Sequence, residues 1–184
     1  MHLQKIRAED FQAAVRPRKS LARSSGLYLS LTEKTDYYEF NRKCGTSLYS
    51  DHIIFSPFVP VFRDDSGRLL KDSYYISFIT APAVNAGAVR KNEPENIEKI
   101  RLSMIKRAEK VLLVAAYHKC DALVLGAWGC GVFQNDPGEI ADIWFDLTML
   151  NDMFKNRYKN IVYAVFDRTK EQSVYKVFSD ILNI

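Results

Sequence analysis

The sequence predicts an α/β domain, a sheet flanked by helices, and three observations carry that reading. From Tyr74 onward, β-like and helical segments alternate as strand, helix, strand, helix, strand, helix. The run Ala122-Leu123-Val124-Leu125 is apolar throughout, as in a strand buried on both faces. The length of 184 residues, with 47 % hydrophobic and 26 % charged residues, fits one domain with a sizeable core. Wholesale disorder, a collagen-like fibre and a small disulfide scaffold are excluded on composition alone.

The elements are justified in order. Residues 1–19 are polar and basic, and Pro17 separates them from the rest of the chain. Leu21, Ala22, Ser25, Tyr28 and Leu29 recur at helical spacing, with Gly26 as a weak point. Residues 33–52 carry tyrosines and charges without a period and read as loop with about one helical turn. Ile53-Ile54-Phe55 and Val59-Pro60-Val61-Phe62 are short β-like runs broken by prolines. Asp64-Asp65-Ser66-Gly67 is a turn, and Tyr74 to Thr80 is rich in β-branched and aromatic residues, hence a strand. Ala81 to Gly87 reads as loop. Asn92-Glu93-Pro94-Glu95 reads as a capped helix start, and Ile97, Ile100, Met104, Ala108, Val111, Leu112 and Ala115 carry a long helix to about His118. Asp136-Pro137 starts another helix, with Ile140, Ile143, Trp144 and Leu147 on one face. Asn160 to Phe166 is the final strand, and Val174 to Leu182 a C-terminal helix.

Charge and cysteine content narrow the function classes. Residues 1–24 hold six basic and two acidic residues, which accounts for the whole net charge of +4. A basic arm of this kind attracts phosphates or simply stays solvated, and no interleaving of basic and aromatic residues points to nucleic acid. Cys44, Cys120 and Cys130 form no CxxC pair, and His2, His52 and His118 add no ligand spacing, so no metal site and no cofactor are expected. No secretory signal and no membrane span are expected either, because Val111 to Tyr117 is the longest strongly apolar run. A cytoplasmic protein is the expectation.

The stretch richest in chemical information is Gly126-Ala127-Trp128-Gly129-Cys130-Gly131-Val132-Phe133, between a buried strand and a helix start. Glycines let backbone N–H groups approach an anion, and a following helix N-terminus adds a favourable dipole. The spacing Gly-x-x-Gly-x-Gly is neither the dinucleotide fingerprint nor a P-loop. A tight strand-to-helix turn packed under Trp128 would use the same residues. Phe133 either lies against a ribose or base or joins the core. Cys130 lacks a neighbouring base and reads as a small buried thiol. Asn85 follows a strand and either bonds a sugar hydroxyl or serves a turn. Asp167-Arg168 stands where open α/β sheets bind ligands, or forms a surface ion pair.

Several blocks carry a family resemblance: Ser20-Leu21-Ala22-Arg23-Ser24-Ser25-Gly26-Leu27-Tyr28, Tyr49-Ser50-Asp51-His52-Ile53-Ile54, Pro60-Val61-Phe62-Arg63-Asp64-Asp65, Thr80-Ala81-Pro82-Ala83-Val84-Asn85-Ala86-Gly87, and the glycine stretch itself. In this order they resemble the microbial-type poly(ADP-ribose) glycohydrolases, over about Ser20 to Leu182. The resemblance implies a macrodomain-like mixed sheet flanked by helices, with the family's early strands missing here. It divides the chain into a basic segment, 1–19, and a macrodomain core, 20–184. It implies ADP-ribose or poly(ADP-ribose) as ligand and cleavage of the ribose–ribose glycosidic bond. Gly126, Gly129, Cys130, Gly131 and Val132 would hold the diphosphate, Phe133 would line the ribose, and Asn85 would assist.

The resemblance also shows a departure. The family carries a triple glycine and then Gln-Glu-Glu just before the stretch matching Ser20, and one glutamate protonates the leaving ribose oxygen. Here Pro17-Arg18-Lys19 stand in that place, and no triple glycine occurs in the chain. An arginine does not release its proton at neutral pH and cannot replace that acid. Three readings remain, ranked in this order. The first is a family member that binds ADP-ribose but has lost catalysis, a pseudoenzyme. The second is a hydrolase using another acid such as Glu9 or Glu33. The third is an interaction module without ligand. Missing strands would expose a sheet edge, so a homodimer or a partner chain is expected to cover it.

Overall fold

The computed structural model describes residues 19–183. Two short helices, α1 (Lys19–Ser24) and α2 (Leu27–Thr32), replace the single helix expected there. Ser25 divides them: its hydroxyl donates back to the Leu21 carbonyl at 2.7 Å and accepts from the Leu27 N–H at 3.2 Å. α3 (Thr35–Lys43) occupies much of the segment expected to be loop. Asp36 lies in its first turn and Arg42 and Lys43 in its last, which suits the helix dipole. Tyr37 is its one buried residue, so no apolar period was there to be read.

The two β-like runs merge into β1 (Ile54–Arg63), which pairs antiparallel with β2 (Leu69–Thr80). Pro57 is accommodated by a register shift between Ser56 and Val59, where Phe58 turns to φ 49°, and Pro60 stands in register opposite Tyr75. At the hairpin, the Asp64 carboxylate accepts the N–H groups of Ser66 and Arg68. α4 (Ala86–Asn92) begins inside the stretch expected to be loop, capped by Asn85, whose Oδ1 accepts the Ala88 N–H at 3.1 Å. Asn92 therefore closes a helix instead of starting one. A 3₁₀ turn over Pro94–Asn96 precedes α5 (Lys99–Tyr117).

α5 buries Ile100, Met104, Ala108, Val111, Leu112 and Ala115 along one face, together with Arg107. β3 (Ala122–Gly126) pairs in parallel with β4 (Asn160–Ala164), Leu123 opposite Ile161 and Leu125 opposite Tyr163. β4 ends two residues before the predicted Phe166. α6 (Pro137–Phe145) lies between these strands in sequence and packs on α7 (Ser173–Leu182). The pairing is mixed, as the resemblance implied, but the described strands form two separate two-stranded sheets. The larger core holds Ile79, Leu123, Leu125, Trp144 and Phe178, and a smaller one holds Leu21, Leu27, Leu31 and Phe78. Among the described residues no helix is long and apolar enough to cross a membrane.

Candidate functional site

The glycine stretch forms the turn between β3 and α6, and its three glycines sit in three different surroundings. A Cβ on Gly126 would lie 2.6 Å from the Ala164 carbonyl oxygen, so glycine lets β3 and β4 close against each other. Gly129 sits at φ +77° against Ala83 and the Asn135 side chain, a conformation that glycine adopts without penalty. Gly131 has open space around it and an ordinary φ. Packing therefore accounts for Gly126 and Gly129, and leaves Gly131 without a structural reason.

The turn is pinned from several sides. Asn135, buried, donates to the Val84 carbonyl at 2.8 Å and to the Gly129 carbonyl at 3.2 Å. The Gly87 N–H donates to the Phe133 carbonyl at 3.0 Å, and the Arg90 guanidinium to that of Gln134 at 2.9 Å. Trp144 Nε1 donates to the Gly126 carbonyl at 3.1 Å. Within this fixed frame the N–H groups of Gly131, Val132 and Phe133 donate to no group among the described residues. Val132 itself is 92 % exposed. The dipole expected from α6 is already engaged, because Asp136 caps that helix with its own carboxylate, accepting the Glu139 N–H at 2.9 Å.

Cys130 is a half-buried thiol whose pKa burial pushes up to about 12, so it is no nucleophile at neutral pH. Asn85 uses its carbonyl oxygen on α4. Asp167 folds its carboxylate into the following turn, accepting from Thr169 and from the Val174 N–H at 2.8 Å, and Arg168 lies over the Phe166 ring, so neither reaches out as a ligand group.

Phe133 lines a cavity of about 570 Å³ together with Tyr37, Tyr38, Asn41, Thr46, Ser47, Tyr49 and Glu93. Its ring centroid lies 6.0 Å from that of Tyr49. The carboxylate on this wall is Glu93, bonded by the Thr46 hydroxyl, the Ser47 N–H at 2.7 Å and the Asn96 amide at 3.0 Å. Those bonds, the Thr46 hydroxyl foremost, bring its pKa down to about 2, so it stands as an anion and carries no proton to give.

The loop bearing Tyr49 is fixed by Arg107. This guanidinium, 1 % exposed, donates to the carbonyls of Leu48, Tyr49 and Pro82 and to the Asp51 carboxylate. The sequence reading missed Arg107, Asn135, Tyr49 and Glu93. Arg107 alone left a signal, a cation on the apolar stripe of α5. The nominated acid Glu9 and Arg18 lie outside the described residues. Glu33 is an exposed residue ending α2, and it is not on the cavity wall. Among the described residues no three His, Cys, Asp or Glu side chains converge as a metal site would require.

Known proteins are similar to this chain in sequence and fold. The sequence description of the microbial-type PARG catalytic domain, PARG being poly(ADP-ribose) glycohydrolase, matches residues 17–64. No curated protein matches the chain. Among solved structures, poly(ADP-ribose) glycohydrolase from Deinococcus radiodurans in complex with ADP-ribose is 41 % identical, with a TM-score of 0.86 over 92 % of this chain and 68 % of that one. The apo form of the same protein matches with 41 % identity and a TM-score of 0.84, over 94 % of this chain and 70 % of that one. Poly(ADP-ribose) glycohydrolase from Thermomonospora curvata is 39 % identical, with a TM-score of 0.82 over 93 % of this chain and 65 % of that one.

Proposed function

Since the chain belongs to the microbial-type poly(ADP-ribose) glycohydrolase family, we propose that it binds ADP-ribose at the turn Gly126–Phe133 and does not cleave glycosidic bonds at an enzyme's rate. The observation that carries the binding reading is the set of three successive N–H groups, at Gly131, Val132 and Phe133, that donate to nothing among the described residues. They sit on a turn already held rigid by Asn135 and Gly87, so a diphosphate would meet donors that cost little to order. Glycine at 131 leaves the approach to these groups open. Phe133 would present its ring to the ribose, with Tyr49 beside it. The Asp136 carboxylate opposes an anion at α6, whereas Asn85, whose carbonyl oxygen caps α4, keeps its amide NH2 for a sugar hydroxyl.

The loss of catalysis rests on proton availability. Cleavage through an oxocarbenium-like state needs a carboxylic acid within hydrogen-bond reach of the leaving oxygen. Arg18 and Lys19 stand where the resemblance expects carboxylates. Glu93, the carboxylate on the cavity wall, is held ionised. The family's relation to poly(ADP-ribose) thus becomes, for this chain, retention of the ligand without turnover.

Calorimetric titration of the full chain with ADP-ribose tests the binding reading. Gly131→Val fills the open approach without straining the turn, so affinity is expected to fall more than tenfold, about 1.4 kcal/mol or more. Equal affinity in the two proteins would move the site elsewhere. No binding by either at millimolar ligand would leave the interaction-module reading.

A further inference from the structure

The cavity beside Phe133 joins a wall of aromatic residues to an anion without a counter-charge. Tyr37, Tyr38, Tyr49 and Phe133 line its volume of about 570 Å³, which falls in the usual range for small-ligand sites. Glu93 lines it as well, half-buried and ionised. Its bonds come from a hydroxyl, a backbone N–H and a side-chain amide, none of which carries positive charge. No lysine, arginine or histidine among the described residues forms an ion pair with it. Arg42 is the cation on this lining. It is exposed to water, which screens its charge, and its Nε donates to the Tyr38 carbonyl. Aromatic rings attract cations by their negative faces, and a carboxylate adds a full charge. This lining therefore selects a positive group over a neutral one of the same size.

Phe133 belongs both to this wall and to the turn Gly126–Phe133, where its N–H is one of the three that donate to nothing among the described residues. A ligand whose diphosphate lies on that turn would bring its terminal ribose to the cavity. We propose that the cavity receives a planar cation carried on the anomeric carbon of that ribose, so that this chain prefers a cation-bearing ADP-ribosyl compound to ADP-ribose alone. The inference rests on the ADP-ribose reading and adds the group beyond the ribose. Two sources supply the same chemistry. NAD⁺ carries a pyridinium there, and ADP-ribose joined to an arginine side chain carries a guanidinium. In each, one positive charge is spread over a flat group that lies well against an aromatic ring.

The test titrates the full chain calorimetrically with NAD⁺, NADH, ADP-ribose and ADP-ribosyl-arginine. NADH keeps the dinucleotide frame and lacks the ring charge. NAD⁺ is expected to bind at least fivefold more tightly than NADH, or ADP-ribosyl-arginine at least fivefold more tightly than ADP-ribose, and the pair that shows the preference identifies the source of the cation. Glu93→Gln keeps an acceptor for the Ser47 N–H and removes the charge, and is expected to bring that ratio below twofold. Tyr38, half-buried on the wall, gives a second variant. Tyr38→Leu is expected to lower the ratio at least threefold and Tyr38→Phe to retain it, both with cooperative thermal unfolding. Binding of ADP-ribose with neither ratio reaching fivefold would overturn the proposal and leave the ADP-ribose reading standing. A preference that survives Glu93→Gln would also overturn it, since the cation would then lie elsewhere. No binding of any of the four compounds at millimolar concentration would overturn both readings.

Discussion

Arg107 and Asp51, fifty-six positions apart in sequence, meet at 2.9 Å between Nε and Oδ1. The guanidinium is buried, while the carboxylate stays 30 % exposed and takes a second cation, Lys106, at 2.5 Å. Three backbone carbonyls accept further N–H groups of Arg107, so one side chain ties the Leu48–Asp51 loop and Pro82 to α5. Burial alone would raise the Asp51 carboxyl, but the bonds and charges of Lys106 and Arg107 outweigh it and hold it below the usual carboxylate range.

Arg107→Met is expected to destabilise the fold by about 3–5 kcal/mol, because it leaves the carbonyls of Leu48, Tyr49 and Pro82 without their donor, while Asp51 keeps Lys106 as a partner. Asp51→Asn keeps a hydrogen-bond acceptor and should cost clearly less. Denaturant unfolding of the two variants gives the comparison, and an equal loss in both would show that the ion pair, not the carbonyl bonds, carries the stability.

The glycines of the turn should separate cleanly in the absence of ligand. Gly129→Ala forces a side chain into φ +77° against Asn135 and Ala83, and is expected to lower stability by roughly 1–3 kcal/mol. Gly131→Ala meets open space and should change stability by less than about 0.5 kcal/mol. Thermal melts would decide it, and a large loss at Gly131 would mean that packing, not ligand access, keeps glycine there.

Acid should unfold the protein partly through Glu93. Its folded pKa is lowered from an ordinary 4.5 to about 2, so the folded state binds this proton less readily than the unfolded chain. Its contribution is therefore complete above pH 4.5 and is lost progressively as pH falls toward 2. Glu93→Gln is expected to flatten the stability profile within that window and leave its slope above pH 6 unchanged. A parallel displacement of the whole profile would contradict this.

Poly(ADP-ribose) incubated with the full chain should release ADP-ribose slowly. General acid assistance is typically worth ~10²–10⁴-fold, so a rate lower by about that factor than that of the Deinococcus radiodurans enzyme under identical conditions is expected. Fast turnover that Glu9→Gln or Glu33→Gln abolishes would overturn the inactive reading and identify the acid.

The sequence by itself determined the elements whose causes are local. The α5 stripe from Ile100 to Ala115, the Asp136-Pro137 start of α6 and the apolar β3 run each carry their signal within one segment, and each is present in the structure. The family was legible for a related reason, because its blocks are contiguous in the chain. What the tertiary structure decided depends on contacts between distant residues. α3 has one buried side chain and no period, so its helix rests on charges that suit its dipole and on packing by Tyr37. Asn85 became a cap and Gly129 a packing requirement through neighbours that spacing does not reveal, such as Asn135 reaching Val84 across fifty-one positions. β3 reads as a central strand yet pairs with β4 alone among the described residues, because strand pairing is a non-local choice. Hydrophobic pattern tells a strand that both its faces are covered, and says nothing of what lies beside it.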